Sequence, residues 1–318
     1  MNGKKIAIVG GSGFVGSVIA ERLSNRGDSV TIITRSRERS RHLWPLPNAR
    51  VVETNVFDPK QLGDVFKDAD TVINLVGILN EKKDNGEGFH RAHVELTEEL
   101  LNACMRNNVD RYLHMSALNA DSFAPSYYLR SKGEAENKVL AAGDRNINIT
   151  IFRPSVIFGR GDGLFNRFHQ LLKLSPVLPL ACASTRFQPV YVGDVASAFI
   201  NSIDNKATFG RKFDLGGPDI LTLKEIVDYV NDIAGLNRII IPLGNALSKM
   251  QAQVFEFVPG KPFSKDNLRS ASEDSVIVNE NGLVLLGITP TPYRSVVPKY
   301  IIGDARNHYN ELRSDAKR

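Results

Sequence analysis

Cysteine is scarce. Cys104 and Cys182 are the only two in 318 residues, far apart and in no C-x-x-C spacing. Neither a disulfide framework nor a zinc site is indicated, and a reducing cytoplasm is the expected compartment. Long apolar runs are also missing: none approaches the roughly 18 residues of a bilayer-spanning helix, so no integral membrane segment is expected. The start imitates a signal peptide, with Lys4 and Lys5 before Ile6, Ala7, Ile8 and Val9, but Gly10 and Gly11 end the apolar run after four residues. A secretory core needs about 7–15 apolar residues, and none is expected here. No internal repeat or low-complexity tract is present. Charge of one sign is nearly absent outside one place: the net charge is +5, and Arg35, Arg37, Arg39 and Arg41 contribute four positive charges within seven residues. What remains, 42% hydrophobic and 24% charged, is the composition of a globular chain and excludes disordered and collagen-like classes.

Lys4–Val9 reads as a short apolar strand. A glycine turn follows, and Val15, Val18, Ile19 and Leu23 then recur at helical spacing. Gly27-Asp28 marks the next turn, and Ser29–Thr34 is β-branched and apolar enough for a buried parallel strand. Comparable runs at Arg50–Glu53, Thr71–Leu75, Arg111–Met115 and Asn148–Phe152 alternate with helical segments such as Glu95–Cys104 and Ser131–Ala142. The alternation predicts an α/β fold, a Rossmann-type doubly wound parallel sheet covered on both faces. Beyond about residue 160 prolines punctuate shorter elements, among them Pro176, Pro189, Pro218, Pro259 and Pro262. Residues 1–160 are therefore expected to form the dinucleotide-binding domain, and 161–318 a smaller substrate or partner lobe interleaved with it. Asp194–Ser202 and Leu223–Ala234 look helical, Arg238–Ile241 looks like a strand, and Glu311–Arg318 is a charged end.

Gly10, Gly13 and Gly16 form a G-x-x-G-x-x-G array between a predicted strand and a predicted helix. Glycine permits the tight turn and lets a pyrophosphate approach backbone N–H groups at the helix N-terminus, where the dipole favours negative charge. After the second strand, where NAD-specific folds often carry an acid, the chain reads Arg35-Ser36-Arg37. A guanidinium there can bind a 2′-phosphate bidentately. The expected cofactor is therefore NADP(H) in preference to NAD(H), with a solvated basic loop as the alternative reading. Tyr128 and Lys132, at i and i+4, share one helical face. A phenol titrates near pH 10, so acid–base work near neutrality needs a cation such as Lys132 to lower it.

Taken together, Gly10-Gly11-Ser12-Gly13-Phe14-Val15-Gly16, Asn74-Leu75-Val76-Gly77, Tyr128-x-x-x-Lys132 and Arg153-Pro154-Ser155-Val156-Ile157-Phe158-Gly159 resemble the extended or atypical short-chain dehydrogenase/reductase superfamily, of the epimerase/dehydratase kind. Phe187–Ala196 resembles its second-lobe motif. Arg153–Asp162 and Arg186–Ala196 are similar to bacterial relatives of the nucleotide-binding accessory subunit of respiratory complex I. The resemblance implies that Gly10, Ser12, Gly13, Phe14, Val15 and Gly16 hold the pyrophosphate and that Arg35, with Ser36 and Arg37, faces the 2′-phosphate. It places Asn55 and Val56 at the adenine, Leu75, Val76 and Gly77 along the cofactor, and Pro154 and Val156 beside the carboxamide. Ser116 falls near the nicotinamide half, and Tyr128 and Lys132 at the nicotinamide ribose. Ser116, Tyr128 and Lys132 are thus the candidate catalytic residues. The chain departs from the pattern at Met115-Ser116-Ala117-Leu118-Asn119: Leu118 stands at the usual catalytic hydroxyl, and Ser116 precedes Tyr128 by only twelve residues.

His90 and His93 are spaced i, i+3 without an H-E-x-x-H motif and read as ordinary helix residues, so no metal is expected. Leu247, Met250, Val254 and Val258, beside Phe255 and Phe257, form an apolar stripe that reads as core, with a membrane or partner contact as the alternative. The arginine cluster lacks interleaved aromatics, and no nucleic acid is expected. Two functions stay open. One is a nucleotide-retaining structural, sensing or respiratory-complex accessory protein, cytoplasmic and possible as a peripheral protein at the inner face of the membrane. The other is an NADP(H)-dependent oxidoreductase or epimerase acting through Tyr128 and Lys132 on a carbonyl, sugar or quinone.

Overall fold

The computed structural model describes residues 3–145, 147–255 and 263–302. At its centre is a seven-stranded sheet whose strands all run parallel. The first six are β1 (Lys5–Val9), β2 (Ser29–Thr34), β3 (Ala49–Glu53), β4 (Thr71–Asn74), β5 (Arg111–Met115) and β6 (Asn148–Pro154). In space they run β3, β2, β1, β4, β5, β6, and then the strand Arg211–Leu215 closes the far edge beside β6. Chain order reverses at β1, which pairs with β2 through Ile6 and Val30 and with β4 through Ile8 and Ile73. Such a reversal opens a crevice at the carboxyl ends of the strands, where doubly wound folds bind ligands.

Alternation of side chains along each strand explains why the sheet needs helices on both faces. Ile6 and Ile8 pack with Ile19, Leu23, Phe152 and Phe199 on one face, whereas Ala7 and Val9 pack with Leu62, Phe66, Leu100 and Tyr112 on the other. A separate apolar cluster includes Phe158, Phe165, Ile226, Val230 and Tyr293. There the helix Leu223–Ile233 begins with a reciprocal cap between Thr222 and Glu225. The sheet takes its seventh strand from beyond residue 160.

Arg111 and Glu136 are among the charged groups buried where chain segments meet. Arg111 lies inside the fold and donates to the carbonyls of Asn148 and Ser202 and to the hydroxyls of Thr150 and Thr208. Glu136, 1% exposed, sits on the helix Tyr127–Gly143 and pairs with Arg153 of β6 and Lys212 of the seventh strand. That pairing fixes the helix bearing Tyr128 to the sheet edge.

The apolar stripe differs from its core expectation. Leu247 and Met250 are 50% and 56% exposed, because the helix Asn245–Phe255 lies at the rim beyond the short ladder of Val177–Leu180 with Ile239–Pro242. Val258, Phe257, Pro259, Pro262 and Glu311–Arg318 lie outside the described residues, as do the side chains of Val254 and Phe255. Among the described residues no helix is long and apolar enough to cross a membrane.

Candidate functional site

The glycine turn leads from β1 into the helix α1 (Phe14–Arg26), and two of its glycines are required by geometry. Gly10 has φ of 80°, a left-handed backbone disfavoured for other residues. A Cβ on Gly16 would lie 2.4 Å from the Gly10 carbonyl oxygen, so α1 approaches the turn only without a side chain there. Gly13 caps α1 with no side-chain hydrogen bond, and the first turn carries no acid. The N–H groups at this end are thus left for an anion, in the direction the helix dipole favours. This arrangement fits a dinucleotide pyrophosphate, with Ser12, Gly13, Phe14, Val15 and Gly16 around it.

Thr34, at the end of β2, links that turn to the basic loop. Its Oγ1 accepts from the Ser12 hydroxyl, the Ser36 N–H and the Ser40 hydroxyl, each at 3.3 Å. The loop's arginines then diverge. Arg41 pairs with Glu38, and Arg37 lies 5.2 Å from the Trp44 ring centre, its backbone N–H donating to Glu53. Arg35 is exposed and, among the described residues, forms no ion pair. Asn55 is exposed, its Oδ1 accepting from the Phe57 N–H, and Val56 is half-buried beside it.

At the other end of the crevice, the loop after β4 is held from below. Asn74 is buried and donates towards Thr97, Tyr112 and His114, while its Oδ1 accepts from the Val76 N–H at 3.1 Å. Leu75 is buried, Val76 half-buried and Gly77 exposed. Lys132, 2% exposed, donates to the carbonyls of Val76 and Met115 at 3.2 and 3.0 Å. Burial pulls its ammonium down to about 8, against the opposing pull of Glu136. Ser116 follows Met115, and its hydroxyl is buried with no hydrogen-bond partner among the described residues. An orphaned buried hydroxyl is costly unless a bound group completes it, and one beside Lys132 fits the nicotinamide half of a dinucleotide. Pro154 and Ser155 are buried and Val156 half-buried at the end of β6.

Tyr128 behaves differently from the activated phenol expected. Its ring packs edge-on against Phe89 and His93, and burial pushes the phenol up to about 12 rather than down. The cation that should lower it spends its hydrogen bonds on two backbone carbonyls. Leu118, in the usual place of the polarising hydroxyl, is 7% exposed.

His93 is not an ordinary helix residue. It is 2% exposed in a π-helical turn, Arg91–Glu95, and its Nε2 accepts from the Ile78 N–H at 3.1 Å. Its other nitrogen, 2.8 Å from the Ser131 hydroxyl, must therefore carry the proton, and Ser131 donates on to the Tyr128 carbonyl. Burial, with the Lys132 charge adding, pushes His93 well below the usual imidazole range. Among the described residues no group of three or more His, Cys, Asp or Glu side chains is placed to hold a metal.

The profile of the NAD dependent epimerase/dehydratase family matches residues 6–216, from β1 through the seventh strand. The chain belongs to that family. Its relatives include NADH dehydrogenase (ubiquinone) 1 alpha subcomplex subunit 9, mitochondrial, of Arabidopsis thaliana, 29% identical over 92% of this chain and 76% of that protein. The mouse subunit of the same name is 27% identical over 92% of this chain and 78% of its own. Among solved structures, MoeE5 in complex with UDP-glucose and NAD superposes with a TM-score of 0.74 at 18% identity, covering 93% of this chain and 97% of that one. This likeness shows the shared fold.

Within this family member, sequence reasoning named the glycine turn, Ser116 and Lys132 but missed three residues that hold these elements in place. Thr34 looked like a strand end, His93 a helix residue, and Asp266 gave no signal at all. Asp266 accepts from the backbone N–H groups of Tyr127 and Tyr128 at 2.7 and 3.0 Å, across more than a hundred residues of chain.

Proposed function

We propose that this protein binds a nicotinamide dinucleotide, NADP(H) in preference to NAD(H), and retains it as a structural or sensing element in an accessory role to a respiratory complex. The acid-free start of α1, with no side-chain cap, supports pyrophosphate binding, and Arg35 after β2, without an ion pair among the described residues, supports selection of the 2′-phosphate. Ser12, Gly13, Phe14, Val15 and Gly16 would carry the pyrophosphate, Asn55 and Val56 the adenine edge, and Leu75, Val76, Gly77, Pro154 and Val156 the nicotinamide side. Lys132 and Ser116 would meet the nicotinamide ribose and carboxamide. When bound, the group supplies hydride chemistry; the chain's own residues orient it, exclude water and hold Lys132 against two carbonyls.

The observation that carries retention over turnover is the state of the candidate catalytic set. Tyr128 is shifted away from neutrality, and Leu118 replaces a hydroxyl. The relatives named as subunits of NADH dehydrogenase support the accessory role and, with the exposed Leu247 and Met250, a peripheral position at a membrane face. The second reading, turnover of a carbonyl, sugar or quinone substrate, rests on the Tyr128–Lys132 pair, which shares one helix.

The test is to purify the protein without added nucleotide, identify what accompanies it by mass spectrometry, and compare NADPH with NADH by calorimetry. NADP(H) in the sample and NADPH bound at least tenfold more tightly is the expected result. Equal affinities would remove the 2′-phosphate assignment, and no binding of either would remove the nucleotide reading.

A further inference from the structure

The segment from Ser264 to Ile277 crosses from the smaller lobe over the carboxyl ends of the central strands, and its bonds go to elements far away in sequence. Its first part is a short helix, Lys265–Ser270, closed by a reciprocal cap between Ser264 and Asn267. Asp266 is 3% exposed and accepts from the first two N–H groups of the Tyr128 helix. That helix already has its own cap, Ser126 to the Leu129 N–H. Asp266 is therefore a second anion on the same end, well placed for the dipole. Further along, the Asp274 carbonyl accepts from Asn119 at 2.7 Å, and the Ser275 carbonyl accepts from the Ser155 hydroxyl at 2.7 Å. The segment is thus moored beyond β5 and β6.

The segment also bonds to Thr185, Arg186 and Gln188, and it grips the loop after β4. Asn267 Nδ2 donates to the Leu79 carbonyl at 3.1 Å, and Arg269 pairs with Asp84 while lying 4.9 Å from the Tyr127 ring centre. The loop is held together internally, because the Glu81 carboxylate gathers the N–H groups of Asn85, Gly86 and Gly88 at 3.1, 2.7 and 2.9 Å. The moorings at Asp266 and Ser155 are buried, whereas the Asp84–Arg269 pair is a quarter to a third exposed. Partly exposed pairs of this kind open more readily than buried ones. The gripped loop begins at Val76 and Gly77, beside Lys132, and the gripped helix carries Tyr128 in its first turn. Both border the place assigned above to the nicotinamide half.

We propose that Ser264–Ile277 is a strap that shuts the loop after β4 over the nicotinamide half of the bound dinucleotide, and that the Asp84–Arg269 and Leu79–Asn267 contacts set how long the nucleotide stays. The strap rests on the nucleotide assignment made above. It makes Asp84, Asn267 and Arg269 positioning residues, acting through the loop without touching the ligand. A fragment that fills only the adenosine end, such as 2′,5′-ADP, lies outside its reach.

The experiment measures release rates of NADPH, by its fluorescence, and of 2′,5′-ADP, by displacement, from the full chain and from Asp84→Asn, Asn267→Ala and the double variant. NADPH release is expected to rise at least tenfold in the double variant, with each single change between the two and 2′,5′-ADP release within twofold of wild type. Because Asp84→Asn is isosteric at a partly exposed position, it serves if the double variant does not fold. Unchanged NADPH release, or equal acceleration of both ligands, would overturn the strap while leaving the nucleotide assignment standing. Wild-type protein that binds neither ligand would overturn both.

Discussion

Arg35 and Lys132 carry the residue-scale argument in opposite ways, one through freedom and one through confinement. Arg35 makes no ion pair among the described residues, so its guanidinium can serve a 2′-phosphate without first breaking a bond. A charge-assisted hydrogen bond contributes about 1.5–3 kcal/mol, roughly tenfold or more in affinity. Arg35→Ala should therefore weaken NADPH by about that factor and leave NADH unchanged, as paired calorimetric titrations would show. Lys132 is buried with its ammonium pulled down to about 8. In the unfolded chain it titrates near 10.4, so between these values the unfolded state holds a proton that the native state has shed. Stability from this group is thus gained as pH rises through that window and lost as pH falls through about 8. The gain is at most about 3 kcal/mol. Tyr128, raised to about 12, acts in the other direction above pH 10, as does the buried Tyr112, and the buried Cys104 thiol, also raised, does so from about pH 9. The clean measurement is therefore the difference between wild type and Lys132→Met in denaturant unfolding across pH 7 to 10, and that difference should change in favour of wild type as pH rises.

Among the elements, the glycine turn and the Tyr128 helix were legible in different degrees. The β1–α1–β2 unit was readable because buried parallel strands are continuous apolar runs and α1 repeats its apolar residues at helical spacing. The glycines were readable because the turn demands them: Gly16→Ala should push α1 away from the Gly10 carbonyl and abolish nucleotide binding, visible as loss of NADPH fluorescence enhancement. The Tyr128 helix was readable in outline, but not in what holds it. Its cap by Asp266 and its anchor through Glu136 to Arg153 and Lys212 join residues distant in the chain, and no local periodicity reports such pairings. His93 was misread for the same reason, since its partners Ile78 and Ser131 belong to other elements. The helix Asn245–Phe255 shows the limit of an apolar stripe as a sign of burial, because spacing gives a face and not what lies against it. Glu136→Gln removes the charge that two cations share in a nearly buried place. It should destabilise the fold by about 3 kcal/mol in equilibrium unfolding.

For the whole molecule, the sheet reverses chain order at β1 and so creates the crevice. The seventh strand and the Ser264–Ile277 segment both come from beyond residue 160, one pairing along the sheet's edge and one bonded to Ser155 beyond β6. The chain itself is bonded to the start of the Tyr128 helix through Asp266. In the function proposed above, that bond serves to keep a nucleotide in place. The central claim is retention, and the most direct measurement is the half-time with which labelled NADPH replaces the nucleotide carried by freshly purified protein. Exchange over hours is expected. Complete exchange within seconds would contradict it and return the protein to the turnover reading.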